Sequence, residues 1–313
     1  MDKIYDTIVL GAGPAGLSAG LYAGRSRLSV LILEQGQDGG QLALTHEVEN
    51  YPGQLPEGES GASLTARMAA QAERFGAVRA ADRITRVELA GAVKTLVGEK
   101  GCYRGRTVIL ACGAVPRPIG CAHEAEYVGR GISFCATCDG AFFEGLEVFV
   151  AGGGDAAVEE ALFLTRFARK VTLIHRRDTL RAAKSIQEKA FAHPKLHFLW
   201  NSVVESVGGD EVLSRITLRD VQSGERTVLE ADPADGMFGL FGFLGCLPNT
   251  RLFDGQLPME EGYLVTDETM ATSLEGVFAA GDIRRKSLRQ VITAAADGAI
   301  AAVSAEQYLS RLP

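Results

Sequence analysis

Two stretches of this chain carry the same alternation of apolar and small residues. In the first, the apolar run Asp6–Leu10 predicts a strand, and Gly11-Ala12-Gly13-Pro14-Ala15-Gly16 follows it. Leu17–Gly24 then reads as a helix, and a second apolar run, Leu28–Leu33, ends in Glu34. In the second stretch the strand is Gly145–Val150, the small residues are Gly152-Gly153-Gly154-Asp155-Ala156-Ala157, and the helix is Val158–Ala168. Its closing strand, Val171–Ile174, runs into His175-Arg176-Arg177. Short apolar runs bounded by glycine are the pattern of strands buried on both faces of a parallel sheet.

The remaining periodicity fills in around these two units. Ser60–Phe75 places Leu64, Met68, Ala72 and Phe75 on one helical face, and Gly76 ends it. Arg83–Leu89, Val93–Val97 and Thr107–Ala111 predict a small antiparallel layer. After the second unit, Asp178–Ala192 is expected to continue as helix up to Pro194. Leu196–Trp200, Val203–Val207 and Leu213–Leu218 are expected as covering strands, with Phe238–Leu244 returning. Tyr263–Val265 and Gly276–Ala280 read as strands, and Arg289-Gln290-Val291 opens a last helix with Ala294, Ala295, Ala299 and Ala302 on its packing face.

Pro116 with Pro118, and later Pro248, punctuate the chain between the two patterns. The expected fold class is therefore α/β: two Rossmann-like, three-layer β/β/α dinucleotide-binding domains, the second inserted into the first. The expected boundaries are 1–115 and 245–313 for the first domain and 116–244 for the second, with the two connections side by side as a hinge. A length of 313 residues, 46% hydrophobic, suffices for two cores. The net charge of −7 argues against nucleic acid or an anionic membrane as partner. The longest apolar run, Met237–Leu247, is too short and glycine-rich to span a bilayer. No charged-then-apolar leader precedes Ile4–Leu10, and six cysteines with one close pair do not form a secreted disulfide framework, so a cytoplasmic enzyme is expected.

Each glycine cluster has a physical reading. Gly11 permits a tight turn, Gly13 lets backbone approach a pyrophosphate, and Gly16 lets helix and strand pack closely; the N-terminal amides of the Leu17–Gly24 helix would hold the phosphates. Glu34 stands where a ribose hydroxyl would need an acceptor. In the second cluster, Gly153, Gly154 and Asp155 occupy the matching turn, but the strand-end acid is replaced by His175, Arg176 and Arg177, with Arg181 beyond. Guanidinium groups suit a 2′-phosphate dianion, which points to NADPH over NADH; the plainer alternative is a solvated basic segment. Asp282, after Gly281 at the end of a late strand, could hold sugar or ribityl hydroxyls or simply cap a helix.

Between the two clusters lies Ile132–Phe143, with Cys135 and Cys138 at CxxC spacing and Asp139 directly behind. Such a pair can close a small disulfide ring or present a reducing dithiol, and Asp139 would be within reach as proton donor or acceptor. As a staple the ring is weak, removing only roughly 2 kcal/mol of chain entropy. Zinc needs four ligands, and no second CxxC or spaced histidine pair is present, so no metal is expected. A dithiol between two cofactor sites suggests electrons passing from one cofactor through another to sulfur.

With these residues assembled, the chain resembles the low-molecular-weight bacterial thioredoxin reductases over essentially its whole length. The matching segments are GAGPAGLSAG at Gly11–Gly20, ENYPG at Glu49–Gly53, CATCDGAFF at Cys135–Phe143, GGGDAAVEEAL at Gly152–Leu162, HRRDTLRA at His175–Ala182, FAAGD at Phe278–Asp282 and RQVITAAADGAIAA at Arg289–Ala302. The resemblance implies FAD at the first site, NADPH at the second and oxidised thioredoxin as substrate, in a homodimer. It carries Gly11, Gly13, Pro14, Ala15, Gly16, Glu34, Gln35, Gly40, Gln41, Leu42, Asn50, Gly113, Gly281, Asp282, Arg289, Gln290 and Val291 to FAD. It carries Gly153, Gly154, Asp155, His175, Arg176, Arg177 and Arg181 to NADPH. Cys135 is similar to the thiol that attacks thioredoxin, Cys138 to the one facing the flavin, and Asp139 to the acid–base residue. Gly129, Arg130, Phe142 and Phe143 resemble a docking surface for thioredoxin. The implied cycle needs the NADPH domain to rotate about Val115–Pro118 and Phe243–Pro248. Rival readings are a related flavin disulfide reductase serving a peroxiredoxin system or driven by ferredoxin, and a flavin-bound sensor without turnover. Cys112, Cys121 and Cys246 depart from the usual pattern and read as inert small hydrophobes.

Overall fold

The structure is a computed structural model that describes residues 3–44, 48, 51–55 and 58–312. It divides into two compact units, Met1–Val115 with Leu247–Pro313, and Pro116–Cys246, so the second crossing falls after 246 rather than after 244.

The first unit begins with β1 (Ile4–Leu10), α1 (Pro14–Arg25) and β2 (Val30–Glu34). Helix α2 (Gly61–Arg74) follows, with the Ser60 hydroxyl accepting from the Ser63 N–H at 3.2 Å as its N-cap. Strands β3 (Val78–Ala81), β4 (Ile84–Glu88), β5 (Lys94–Gly98) and β6 (Cys102–Leu110) complete a sheet ordered β3-β2-β1-β6-β5-β4. Strand β1 pairs in parallel with both β2 and β6. Alternate side chains explain why it is apolar throughout. Val9, Val30, Ile32 and Ile109 pack with the helices, while Ile8, Leu10, Leu31, Leu33, Val108 and Leu110 pack on the opposite face. The antiparallel layer is not separate from this sheet: β6 is one strand of nine residues whose first half pairs with β5 and whose second half runs beside β1. The chain leaves the unit through β7 (Ala114–Pro116).

In the second unit, α3 (Glu124–Tyr127), β8 (Ile132–Ser133) and α4 (Ala136–Asp139) precede β9 (Glu147–Gly152), α5 (Asp155–Leu164) and β10 (Lys170–Ile174). Then come α6 (Lys184–Ala192), β11 (Leu196–Leu199), the antiparallel trio β12 (Ser202–Gly208), β13 (Arg215–Asp220) and β14 (Arg226–Glu230), and β15 (Gly239–Phe243). The parallel sheet is ordered β11-β10-β9-β15-β8. Again both faces are apolar: Val148, Val150 and Phe241 meet the helices, and Phe149, Ala151 and Leu240 meet Val204, Ile216 and Leu218 of the trio. Helices, parallel sheet and antiparallel sheet make the expected three layers. Leu196–Leu199 belongs to the parallel sheet and not to the cover, and the helix expected over Asp178–Ala192 is confined to Lys184–Ala192. Residues 175–183 instead bend back, the Arg181 N–H reaching the Gly153 carbonyl at 2.8 Å.

The chain returns through β16 (Cys246–Pro248), which pairs with β7. The Asn249 N–H donates to the Gly113 carbonyl at 3.0 Å, and its side-chain amide donates to Cys112 O at 2.8 Å. The small ribbon β17 (Met259–Glu260) and β18 (Tyr263–Leu264) leads to β19 (Val277–Ala279), which joins the first sheet beside β6. Helix α7 (Val291–Ser310) closes the chain and packs along α1.

Candidate functional site

The first glycine loop is held by contacts that leave little choice of residue. Gly11 turns at φ +108°, and a methyl group there would sit 2.4 Å from the Ala111 carbonyl oxygen. At Gly16 a methyl would lie 1.8 Å from the Gly11 oxygen. Gly13 differs: its φ of −74° suits any residue, and an added carbon would find its nearest neighbour 3.9 Å away, at Gly39 O. Nothing in the protein demands glycine at position 13, so the open space over it is the space a phosphate would fill. Pro14 and Ala15 form the first turn of α1, as a proline without an N–H readily does.

Glu34 does more than wait for a ribose. Its Oε2 accepts the Ala12 N–H at 2.8 Å, and its Oε1 accepts the N–H groups of Gln35 at 2.8 Å and Gly36 at 3.1 Å. The carboxylate thus fastens the loop and keeps further lone pairs for a hydroxyl. Beside it a groove of roughly 300 Å3 is lined by Ala12, Glu34, Asp38 and Arg79, with Arg79 paired to both Asp38 and Glu73. Gly40, Gln41 and Leu42 form a 3-10 turn, tied over the loop by the Gly39 N–H to Ala12 O at 2.8 Å. Asn50 lies outside the described residues.

The late strand brings Gly281 and Asp282 to the same unit. Gly281 has φ +79°, and a methyl there would press on Ala15 Cβ at 2.8 Å. Asp282 Oδ1 is buried with no hydrogen-bond partner, and so is Nε of Arg289, whose guanidinium lies 4.1 Å over the Tyr263 ring. Burial pushes the Asp282 carboxyl above the usual carboxylate range, against the pull of Lys286 and Arg289 and with the push of Asp297. A buried carboxylate oxygen and a buried guanidinium N–H, both unmatched, fit a ligand with hydroxyl and acceptor groups such as FAD. Gln290 caps α7 in a reciprocal capping box with Thr293, and Val291 is the first residue of the helix. Sequence reasoning missed Asp297. This buried carboxylate accepts from the Gly281 N–H at 3.0 Å, from Arg284 Nη1 at 3.3 Å and from Lys286 Nζ at 2.7 Å. An acid inside an otherwise alanine-rich helix face was the signal available.

In the second unit, Gly153 lies against the His175 ring, where a methyl would be 2.2 Å from Cε1 and Nδ1. Gly154, the N-cap of α5 at φ −93°, has nothing within 4 Å of such a methyl. Asp155 Oδ1 accepts the Ala183 N–H at 2.6 Å, pinning the 175–183 segment to the start of α5. His175 is 5% exposed, its Nε2 lacks a partner, and its ring meets Trp200 edge-on at 6.4 Å. Burial lowers its pKa, with the Arg181 and Arg177 charges adding to the effect and backbone bonds to Gly152 and Thr179 opposing it. Arg176, Arg177 and Arg181 are exposed around it. A buried neutral ring under three free-standing guanidinium groups suits an anionic nucleotide tail.

The same unit carries the sulfur pair. Cys135 and Cys138 form a disulfide with Cα atoms 5.3 Å apart, and both are half-buried at the start of α4. The carboxylate of Asp139 accepts from the Ser133 hydroxyl at 2.6 Å, and that hydroxyl accepts the Cys135 N–H at 3.1 Å. Ser133, unremarked in the sequence, thus orients the acid beside the sulfurs. Phe142 is 59% exposed, while Phe143 is buried against Phe241 at 5.3 Å and offers no surface for docking. Gly129 and Arg130 are exposed. Among the described residues no group of three or more His, Cys, Asp or Glu could hold a metal ion, and no helix is long and apolar enough to cross a membrane.

Comparison with known proteins places these features in a family. Residues 5–298 match the family described as pyridine nucleotide-disulphide oxidoreductase. The thioredoxin reductase of Peptoclostridium litorale is 54% identical over 313 residues, covering 100% of this chain and 99% of that one. Among solved structures, the thioredoxin reductase of Streptococcus pyogenes MGAS5005 superposes with a TM-score of 0.83 at 43% identity, each chain covered in full. That of Lactococcus lactis, described in its FR conformation, gives 0.75 at 41% identity, covering 98% of this chain and 100% of that one.

Proposed function

The chain belongs to the pyridine nucleotide-disulphide oxidoreductases, and within them to the thioredoxin reductases, and from that premise we propose how its residues divide the work. It is a flavin-dependent oxidoreductase that moves electrons from NADPH through FAD to the Cys135–Cys138 disulfide and on to oxidised thioredoxin. Bound FAD would supply the two-electron chemistry that links a nicotinamide hydride to a disulfide. The first unit would bind it: Gly13 and the α1 amides would take the pyrophosphate over the turn that Gly11 and Gly16 permit, Glu34 the ribose, and Asp282 with Arg289 the groups that satisfy their unpaired atoms. In the second unit, Gly153, Gly154 and Asp155 receive the NADPH pyrophosphate. Arg176, Arg177 and Arg181 neutralise its 2′-phosphate.

Cys138 would be the sulfur on the flavin side and Cys135 the one that attacks the thioredoxin disulfide, while Asp139, oriented by Ser133, would move the proton at the sulfur that leaves. Pyridine nucleotide and dithiol are carried by one unit, and both must reach one flavin. That requirement supports rotation of the second unit about the paired β7 and β16 connections between half-reactions. We further propose a cytoplasmic homodimer. The observation that carries the reading is the disulfide with its oriented acid in the same chain as two phosphate-receptive glycine loops.

An absorption titration tests it. Purified protein should be yellow, bleach with NADPH, and regain colour when oxidised thioredoxin is added. A preparation that bleaches but never responds to thioredoxin, while reducing DTNB alone, would redirect the reading to another partner protein.

A further inference from the structure

The mid-helix carboxylate Asp297 meets three separate backbone and side-chain partners. Its Oδ2 accepts the Gly281 N–H (3.0 Å) and the Lys286 ammonium (2.7 Å), and its Oδ1 accepts from Arg284 (3.3 Å). Arg284 itself is held on its other side by the Thr266 hydroxyl at 2.8 Å. The side chains of Asp297 and Lys286 are 9% and 7% exposed, so this pair is desolvated and cannot be replaced by water. Gly281, the residue it grips, immediately precedes Asp282, whose Oδ1 is buried and unmatched.

We propose that Asp297 is a positioning residue for the flavin site, fixing the Gly281–Asp282 turn through its acceptor oxygen and balancing the cations beside it through its charge. This rests on the reading that the first unit binds FAD. Asp282 and Asp297 supply two negative charges, and Arg284, Lys286 and Arg289 three positive ones. With Asp297 in place, the cluster carries one net positive charge instead of two. The two contributions are separable. The turn needs only an oxygen that accepts the Gly281 N–H, which an amide provides. Charge balance needs the carboxylate. Removing a negative charge next to a cofactor that gains electrons makes that cofactor easier to reduce.

The test uses full-length protein with FAD itself as probe, comparing Asp297→Asn, Asp297→Ala and the double variant Asp297→Asn/Lys286→Met. Two quantities are read: the FAD dissociation constant on deflavinated protein, and the flavin midpoint potential by reductive titration against a reference dye. Asp297→Asn should hold FAD within about threefold of wild type. Its equilibrium should shift toward reduced flavin by roughly tenfold, about 30 mV for a two-electron couple. Asp297→Ala should lose roughly tenfold or more in FAD affinity and show the same potential shift. The double variant deletes one charge of each sign and should return the potential to near the wild-type value, a recovery that a merely structural role does not give. If Asp297→Ala does not fold, Asp297→Asn and the double variant decide the matter. An unchanged potential in Asp297→Asn, or no recovery in the double variant, overturns the proposal. Wild-type protein that takes up no FAD overturns the functional reading and this proposal together; flavinated wild type with unmoved variants defeats this proposal alone.

Discussion

The two glycine loops share a strand–turn–helix path and differ in what closes them. In the first, the residue at the end of the second strand is an acid that turns inward and holds its own loop through three backbone N–H groups. In the second, the same position is a histidine whose ring fills the floor under Gly153, and the following arginines point to solvent. A loop with spare carboxylate lone pairs receives hydroxyls; a loop ringed by guanidinium groups receives phosphate. Topology provides two equivalent cradles, and a handful of residues at the strand ends decides what each one accepts. The second unit also carries the sulfur pair, so on the proposed function the units differ in kind: one would hold a cofactor and the other would deliver reactants to it.

The largest effect should come from breaking that division of labour. Cys138→Ser leaves both cradles intact, so NADPH should still bleach the flavin while thioredoxin reduction falls by roughly 10³-fold or more. Stopped-flow reduction and steady-state turnover read the two halves separately, and loss of flavin reduction would mean that Cys138 does more than accept electrons. Next in size is the strand end. Arg176→Ala with Arg177→Ala removes two charge-assisted contacts of about 1.5–3 kcal/mol each, so kcat/KM for NADPH should drop by roughly 10²-fold or more. The value for NADH should barely move. Equal losses for both nicotinamides would assign the arginines to folding and not to the 2′-phosphate.

The glycines themselves sharpen the comparison further. Gly16→Ala would put a methyl 1.8 Å from a backbone oxygen and should cost several kcal/mol or prevent folding. Gly153→Ala meets the His175 ring, which can shift, so about 1–3 kcal/mol is expected. Gly13→Ala and Gly154→Ala meet open space at ordinary φ, and the loss of unfolded-chain freedom offsets the poorer N-cap that alanine makes, so stability should move by no more than about 1 kcal/mol in either direction. Each should nonetheless weaken its own nucleotide, FAD for Gly13 and NADPH for Gly154. Calorimetry and ligand titration on the four variants separate residues that the fold needs from residues that the ligand needs.

Much of this was legible from sequence, for reasons that are local. Gly16 is dictated by a contact across a single turn, Gly11 by the left-handed φ its own turn takes, and the apolar β1, β2, β9 and β10 by burial on both faces. What was not legible depended on distant partners. Residues 178–183 read as the front of a helix, because nothing in their composition announces that Arg181 will bond to Gly153 or that Asp155 will take the Ala183 N–H. Strands β3 and β14 lie mostly exposed and lack the alternation that marks a strand. From the sequence Thr107–Ala111 looks like part of a separate layer, since its pairing with β1 joins residues about a hundred positions apart. Asp297 reaches back 11 to 16 positions to partners on another segment, and only the folded chain shows them.

The units should also answer pH in opposite directions. His175 is held neutral in the fold, so stability it contributes is present above the ordinary histidine pKa of 6.5 and is lost as pH falls through its lower folded value. Asp282 has a raised folded pKa, so without FAD it favours the folded state below the usual 3.8 and withdraws that support as pH rises through the folded value. Melting curves on deflavinated protein should therefore show His175→Asn flattening the fall in stability on the acid side of pH 6.5. Asp282→Asn should raise the melting temperature at neutral pH while abolishing tight FAD binding. A destabilised Asp282→Asn apoprotein would mean that the carboxylate serves the fold before it serves the ligand.

The smallest effect expected is at Cys112, and its smallness is informative. This thiol lies close to the first cradle, donating to Leu10 O at 3.5 Å, and burial with the Glu34 charge pushes its pKa up to about 12. Cys121 in the second unit is raised to about 11 by burial and Glu124. Since only the thiolate reacts, both should be silent to iodoacetamide at pH 8 in the native protein, whereas the exposed Cys102 and Cys246 should label. Reduction with NADPH should add Cys135 and Cys138 to the labelled set and nothing else, as peptide mapping would show. Cys112→Ser keeps a donor for the Leu10 carbonyl at similar size, so FAD loading and turnover should stay within about twofold of wild type. Labelling of native Cys112, or a large loss on its replacement, would mean that the first unit contributes sulfur chemistry of its own, and the contrast between a holding unit and a delivering unit would no longer stand.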